Sequence, residues 1–321
     1  MTPDGFRERF DRLAKEMGNV VVGYEDVVRD LLTGVFAGGN ILLEAAPGLG
    51  KTVIGKALAA ALSMKQTRIQ FTPDLMPADI VGTNIIVEDE HGRKEMVFRP
   101  GPVFTHVLLA DEINRATPKT QSALLEAMQE HHVTVAGRTY PLEEPFFVVA
   151  TQNPEDIEGT YRLPEAQIDR FGFRLHLTEL RDQDWIEVAR RRTGAAAPAV
   201  SAVLSRSDVT EMQAAARGVA VPRDVCASAA RLATATHPDN GSIESVRKYV
   251  SLGASPRGIQ AMILGAKVRA LCDGRDAIRT EDVRSVAIMA LSHRLLFNFE
   301  GQADCVQPEA IIREILASCE G

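Results

Sequence analysis

The stretch Glu44-Ala45-Ala46-Pro47-Gly48-Leu49-Gly50-Lys51-Thr52 decides how this chain is read. Ahead of it, Asn40-Ile41-Leu42-Leu43 has the apolar run of a short buried strand. Behind it, Val53, Ile54, Ala57, Leu58, Ala61 and Leu62 repeat at helical spacing. A strand, a glycine-rich turn and a helix form the context of a phosphate-binding loop. Gly48 and Gly50 let successive backbone N–H groups face inward as a nest for phosphate oxygens, and the N-terminus of the next helix adds partial positive charge. Ala46, Pro47 and Leu49 complete the loop. Lys51 is spaced to reach the β- and γ-phosphates, and the Thr52 hydroxyl to hold Mg²⁺. The strict pattern GxxxxGK[ST] has glycine where this chain has Ala45, which suffices if φ there stays negative.

A second signal lies downstream. Val107-Leu108-Leu109-Ala110-Asp111-Glu112 is an apolar run ending in two acids, as expected of a buried parallel strand that delivers carboxylates to the C-terminal edge of a sheet. Behind a phosphate loop, Asp111 is read as part of the Mg²⁺ shell and Glu112 as the group that polarises the attacking water. Phe146-Phe147-Val148-Val149-Ala150 is another buried strand, running into Thr151-Gln152-Asn153-Pro154. Asn153 either orients the water or is a turn residue before Pro154.

Around these lie weaker features. Residues 3–16 carry Phe6, Phe10 and Leu13 at helical spacing, and a second helix is expected over 25–36 before Gly38-Gly39. Val20-Val21-Val22-Gly23 precedes it. Val22 and Gly23 either line an adenine pocket or simply pack. Residues 67–71 alternate as a strand, and a helix is expected over 118–130. Two hairpins are expected, residues 84–87 with 95–98 across Asp89-Glu90-His91-Gly92, and residues 132–135 with 139–142 across Ala136-Gly137-Arg138.

Composition bounds the function. The 321 residues allow two domains; 45% hydrophobic and 25% charged residues describe an ordinary globular chain. A net charge of −7 argues against a broad nucleic-acid face. The four cysteines, Cys226, Cys272, Cys305 and Cys319, show no metal-ligand spacing. No apolar run is long enough to span a bilayer and no leader pattern opens the chain, so the expected compartment is the cytoplasm.

The succession LLEAAPGLGKT, VLLADEINRA, ATQNP and Leu163-Pro164-Glu165-Ala166-Gln167-Ile168-Asp169-Arg170-Phe171 resembles the MoxR family of AAA+ ATPases, within the helix-2-insert group, and the resemblance runs nearly end to end. It implies an α/β core with a five-stranded parallel sheet in the order 5-1-4-3-2, plus a helical lid. It makes the first hairpin the helix-2 insert and the second the pre-sensor-1 hairpin. It also implies ATP as substrate, and a homo-oligomeric ring, expected to be a hexamer. Arg170 matches the arginine finger that reaches a neighbour's γ-phosphate, and Arg257, in Gly253-Ala254-Ser255-Pro256-Arg257, matches sensor 2, serving its own or a neighbouring site. Arg115 is read as a structural or interface residue. On sequence alone, a solvated or salt-bridged surface residue is the favoured reading of each of the three arginines.

After Leu177 the pattern turns helical, with segments over 182–192, 208–217, 223–236, 245–252, 257–272, 281–296 and 308–317. Gly194-Ala195-Ala196-Ala197-Pro198 reads as a linker, and Arg190-Arg191-Arg192 as a solvated helix end. The expected division is an AAA+ core over 1–179 and an all-helical lid over 180–321. The resulting expectation is Mg²⁺-dependent ATP hydrolysis coupled to chaperone-like remodelling of a client protein, the resemblance adding a von Willebrand factor A domain protein as partner. A nucleic-acid motor and a nucleotide-switched scaffold with little turnover are the alternatives; the acidic balance weighs against the first.

Overall fold

Strands with both faces buried organise the molecule. The computed structural model describes residues 1–46, 48–88, 90–153, 159–193, 199–240 and 243–319. Pro47, Asp89, Pro154 and the expected linker 194–198 lie outside the described residues. Five strands, β1 (Ile41–Glu44), β2 (Gln66–Gln70), β3 (Val107–Asp111), β4 (Phe147–Gln152) and β5 (Phe173–His176), form one parallel sheet. Its order is β5-β1-β4-β3-β2, as the resemblance implied.

The side chains alternate with the strand period of two. Ile41, Leu43, Val107, Leu109, Phe147, Val149, Phe173 and Leu175 enter one core, which continues into the C-terminal helices. Leu42, Leu108, Ala110, Val148 and Ala150 enter the other, under the helix Pro118–Glu130, whose Leu124, Ala127 and Met128 face them. Burial on both faces explains the continuous apolar runs in the sequence.

The N-terminal helix Pro3–Gly18 packs by Phe6 and Phe10 on Phe36 of the helix Glu25–Phe36, with ring centroids 5.6 and 5.9 Å from Phe36. Such ring pairs contribute about 0.5–1.5 kcal/mol each beyond their area. The same helix meets the C-terminal half through Arg9, 2.9 Å from both Asp208 and Glu211. The two expected hairpins are present, Gly82–Glu88 with Lys94–Pro100 and His132–Val135 with Arg138–Pro141. They touch where Phe98 stacks on Tyr140, centroids 3.9 Å apart.

Beyond β5 the chain is a helical lid, including Asp182–Thr193, Arg206–Gly218, Arg223–Thr234, Pro256–Cys272, Thr280–Leu291 and Pro308–Ser318. Among the described residues it departs from an all-helical reading in an isolated bridge between Ala220 and Ala277 and in one pair of short strands. Val250–Leu252 and Leu296–Phe297 pair as short antiparallel strands, so the helices expected over 245–252 and 281–296 stop earlier, at Tyr249 and Leu291. No helix among the described residues is long and apolar enough to cross a membrane.

Candidate active site

Three parallel strands end side by side, and the loops that leave them converge on one sheet edge. The phosphate loop leaves β1. Gly48 and Gly50 both adopt φ of +87°, the left-handed region that glycine enters without strain. A Cβ at either would meet nothing within 4 Å, so the constraint on these glycines is backbone conformation rather than space. Ala45 is not among the positive-φ residues, which is why alanine serves there. Lys51 opens the helix Lys51–Ala61, and its Nζ donates to the carbonyls of Ala45 and Gln152 at the ends of β1 and β4.

Asp111 ends β3 and is buried, with three donors on its carboxylate. Thr52 Oγ1 donates to Oδ2 at 3.2 Å, Thr151 Oγ1 to Oδ1 at 3.3 Å, and Arg68 Nε to Oδ2 at 2.6 Å. The Thr52 hydroxyl and the Asp111 carboxylate are thus adjacent hard oxygens, the donor type Mg²⁺ takes from protein while phosphates and water fill its remaining positions. Glu112 follows in a left-handed conformation, φ +57°, rare for a residue with a side chain. Its N–H is held by Thr151 Oγ1 at 2.9 Å, and its carboxylate meets Gln70 Nε2 at 2.7 Å and Arg115 Nε at 3.3 Å. Such strain persists where surrounding bonds over-determine it, commonly at functional sites. Asn153, buried, leaves β4 beside these acids, and its carbonyl accepts from Asn114 Nδ2 at 3.3 Å.

Beside the loop is a cavity lined by Val20, Val22, Tyr24, Leu180, Trp185 and Arg191, together with Gly48, Leu49 and Gly50. Val22 therefore lies in a pocket contiguous with the phosphate loop. Gly23 does not line it and acts by close approach. Its φ is +77°, and a Cβ would stand 2.7 Å from Leu180 Cδ2 and 2.8 Å from Asp184 Cγ. Burial, and then the Asp184 charge, raise the pKa of Tyr24, whose hydroxyl donates to the Thr178 carbonyl at 2.9 Å.

Several of these residues escaped sequence reading. Leu180, Trp185 and Arg191 belong to the C-terminal half, and only the solitary tryptophan offered a signal. Arg191 is not the solvated helix end expected from its run. It donates to the carbonyls of Gly18 and Asn19 at 3.0 and 2.6 Å and pairs with Glu187. Arg68 and Gln70 lay in a strand whose alternation carried no hint of contact with the acids.

The two remaining arginines are not brought to the phosphate loop of their own chain. Arg170 follows the short helix Glu165–Ile168 and is half-buried, and among the described residues no hydrogen bond or ion pair holds its side chain. Arg257 Nη1 bonds Asp169 Oδ2 at 3.0 Å, beside Arg170. Asp169 also receives Ser255 Oγ at 2.7 Å and Arg294 Nε at 2.9 Å. Burial pulls the Arg294 guanidinium down to about 10 against the raising effect of Asp169, leaving it cationic at neutral pH.

With this geometry in view, the similarities are consistent. The family described as ATPase family associated with various cellular activities (AAA) matches residues 40–173, and the AAA lid domain matches residues 244–315. Chaperone MoxR1 of Mycobacterium tuberculosis is 40% identical over 307 residues, covering 95% of this chain and 80% of that one. Protein MoxR of Methylorubrum extorquens is 29% identical over 321 residues, covering 90% and 88%. A crystal structure of an ATPase candidate from Cytophaga hutchinsonii superposes with a TM-score of 0.88 at 39% identity, covering 98% of this chain and 95% of that one.

Proposed function

This chain belongs to the MoxR family of AAA+ ATPases, and from that premise we propose that it hydrolyses ATP with Mg²⁺ as a ring of identical subunits and uses the cycle to remodel a client protein. The observation that carries the reading is the meeting of Thr52 and Asp111 at 3.2 Å, which joins the phosphate loop to the acids of β3.

When bound, ATP supplies the phosphoryl group to be transferred, and Mg²⁺ neutralises the phosphate charge. The chain's residues do the rest. The loop over Ala46–Thr52 and the helix N-terminus at Lys51 bind phosphate oxygens. Thr52 and Asp111 hold the ion. Glu112 takes a proton from the attacking water and Asn153 orients that water. Val22, Tyr24, Leu180 and Trp185 enclose the base, with Gly23 allowing the lid helix to approach.

Arg170, unpartnered in its own chain among the described residues, would complete the site of the next subunit. The bond of Arg257 to Asp169 supports Arg257 working alongside Arg170, toward the neighbour. A ring, with six subunits the expected number, follows from that sharing. The division at 179/180 between core and lid, the cytoplasmic compartment and a partner with a von Willebrand factor A domain are parts of the same proposal. The chaperone name of the Mycobacterium relative supports a protein client.

The test is complementation. Arg170→Ala keeps an intact loop and Lys51→Ala keeps an intact finger, so each should be inactive alone. An equimolar mixture under subunit exchange should recover part of the Mg²⁺-dependent phosphate release, because borders of the right order hold one complete site. No recovery would rule out a shared site.

A further inference from the structure

Arg170 is held less by its side chain than by what grips its backbone. The grip comes from the lid. Arg294, on the short turn Ser292–Arg294 after the helix Thr280–Leu291, extends its guanidinium into the segment around residue 170. Its Nη2 donates to the Asp169 carbonyl at 3.2 Å and the Phe171 carbonyl at 2.8 Å, and its Nη1 to the Gly172 carbonyl at 3.2 Å. Its Nε meets the Asp169 carboxylate at 2.9 Å. The peptide carbonyls on both sides of Arg170 therefore converge on one side chain, which is only 2% exposed.

The neighbours of Arg294 reinforce the same junction. His293 Nε2 lies 3.0 Å from the Phe171 carbonyl. On the β5 side, Arg174 Nε donates to Ser292 Oγ at 3.1 Å. A five-donor guanidinium fork can serve several acceptors at once, whereas an ammonium with three donors cannot satisfy them together. Burial of a charge is costly unless every arm is used, and beyond the arm that Nη1 extends to the Ala290 carbonyl of the preceding helix and to His293, the donors of this enclosed guanidinium go to this segment.

We propose that Arg294 is a positioning residue for the finger: it fastens the backbone around Arg170 to the lid of the same chain, so that the lid sets where Arg170 is presented to the neighbouring subunit. The inference rests on the shared-site reading above. In this arrangement finger and lid move as one body, and a change in lid position alters the neighbour's hydrolysis without touching the neighbour's own loop.

The test uses the full chain. Arg294→Lys should bind ATP with a dissociation constant within about twofold of wild type while kcat falls on the order of tenfold or more, short of the roughly 10³–10⁵ that finger removal costs. Mixed with Lys51→Ala it should recover, because that partner offers an undisturbed finger to an intact loop. Mixed with Arg170→Ala it should not, because neither subunit presents a correct finger. Wild-type turnover in Arg294→Lys, failure to recover with Lys51→Ala, or recovery with Arg170→Ala would each overturn the proposal. Should Arg294→Lys fail to fold, Asp169→Asn, which removes one charged arm and leaves Arg294 in place, should give the same pattern of recovery. The mixture of Arg170→Ala with Lys51→Ala separates the two claims. If it fails, the shared site falls and this inference with it; if it recovers while the Arg294 pattern does not appear, only the inference falls.

Discussion

Gln70 Nε2 donates to Glu112 Oε2 at 2.7 Å, so the last side chain of β2 holds the second acid at the end of β3. The same amide accepts from Arg68 Nη2 at 2.9 Å, and Arg68 Nε reaches Asp111. One edge strand thus tethers two adjacent acids, Arg68 on Asp111 and the Gln70 amide on Glu112, and Arg115 Nε reaches the same Glu112 carboxylate at 3.3 Å.

Glu112→Gln preserves that tether, because an amide can still accept from Gln70. The variant should fold and bind ATP normally. Turnover should fall by roughly 10²–10⁴, the usual cost of losing a positioned general base. Steady-state phosphate release with a parallel binding titration checks this. A rate within about twofold of wild type, too small for loss of a base, would remove Glu112 from the mechanism.

The second hairpin yields a prediction that the sequence alone would have misplaced. Its two valines look equivalent, yet Val133 is buried in the core under the sheet while Val135 is only half-buried near the turn. Val133→Asp buries an unpaired carboxylate and should cost several kcal/mol, enough to unfold a domain of ordinary stability. Val135→Asp should leave the thermal midpoint nearly unchanged. Circular dichroism melts decide it, and equal loss in both variants would contradict the burial. Only the Val135 change is then suited to asking whether the hairpin tip serves a client.

The contrast shows what was legible in the sequence. The phosphate loop, the acids at 111–112 and the sheet strands are local patterns, in which a few consecutive residues carry both conformation and chemistry. Arg294 and Asp169 are 125 residues apart, and Arg191 and Gly18 are 173 apart. Nothing near either arginine in the chain distinguishes it from a solvated helix end. Their roles come from which surfaces the lid brings against the core, and single-sequence periodicity does not contain that information. Val133 shows the same limit on a smaller scale, since alternation puts it on one face with Val135 but does not say how far along the strand that face is covered.

His293 gives stability a pH dependence. It is buried, and burial first, then the charges of Arg294 and Arg174, hold its pKa well below the ordinary 6.5. The folded chain keeps it neutral while the unfolded chain takes up a proton near 6.5. The unfolded state therefore binds more protons below that value, so this contribution is complete above 6.5 and is lost as pH falls. His293→Gln retains a donor for the Phe171 carbonyl and removes the titration. The drop in urea midpoint from about pH 7.5 to about pH 5.5 should be smaller in the variant than in wild type. Parallel drops would exclude His293 as a source.

Trp185 is the chain's one tryptophan and stands half-exposed in the cavity that Val22, Tyr24 and Leu180 share with Gly48 and Gly50. A base enclosed there would remove water from the indole or stack on it, and stacked aromatic pairs are favoured by about 0.5–1.5 kcal/mol beyond area. Saturating ATP or ADP should therefore shift or quench the tryptophan emission, and no other tryptophan can mask the change. Lys51→Ala, which loses the fixed cation for the phosphates, should give no change at the same nucleotide concentration. Val22→Glu, which puts a carboxylate against the base while leaving Lys51 in place, should also lose the signal, separating base contact from phosphate contact. If calorimetry records nucleotide binding while the emission of Trp185 stays constant, the base lies elsewhere and the assignment of this cavity fails, whatever the phosphate loop does.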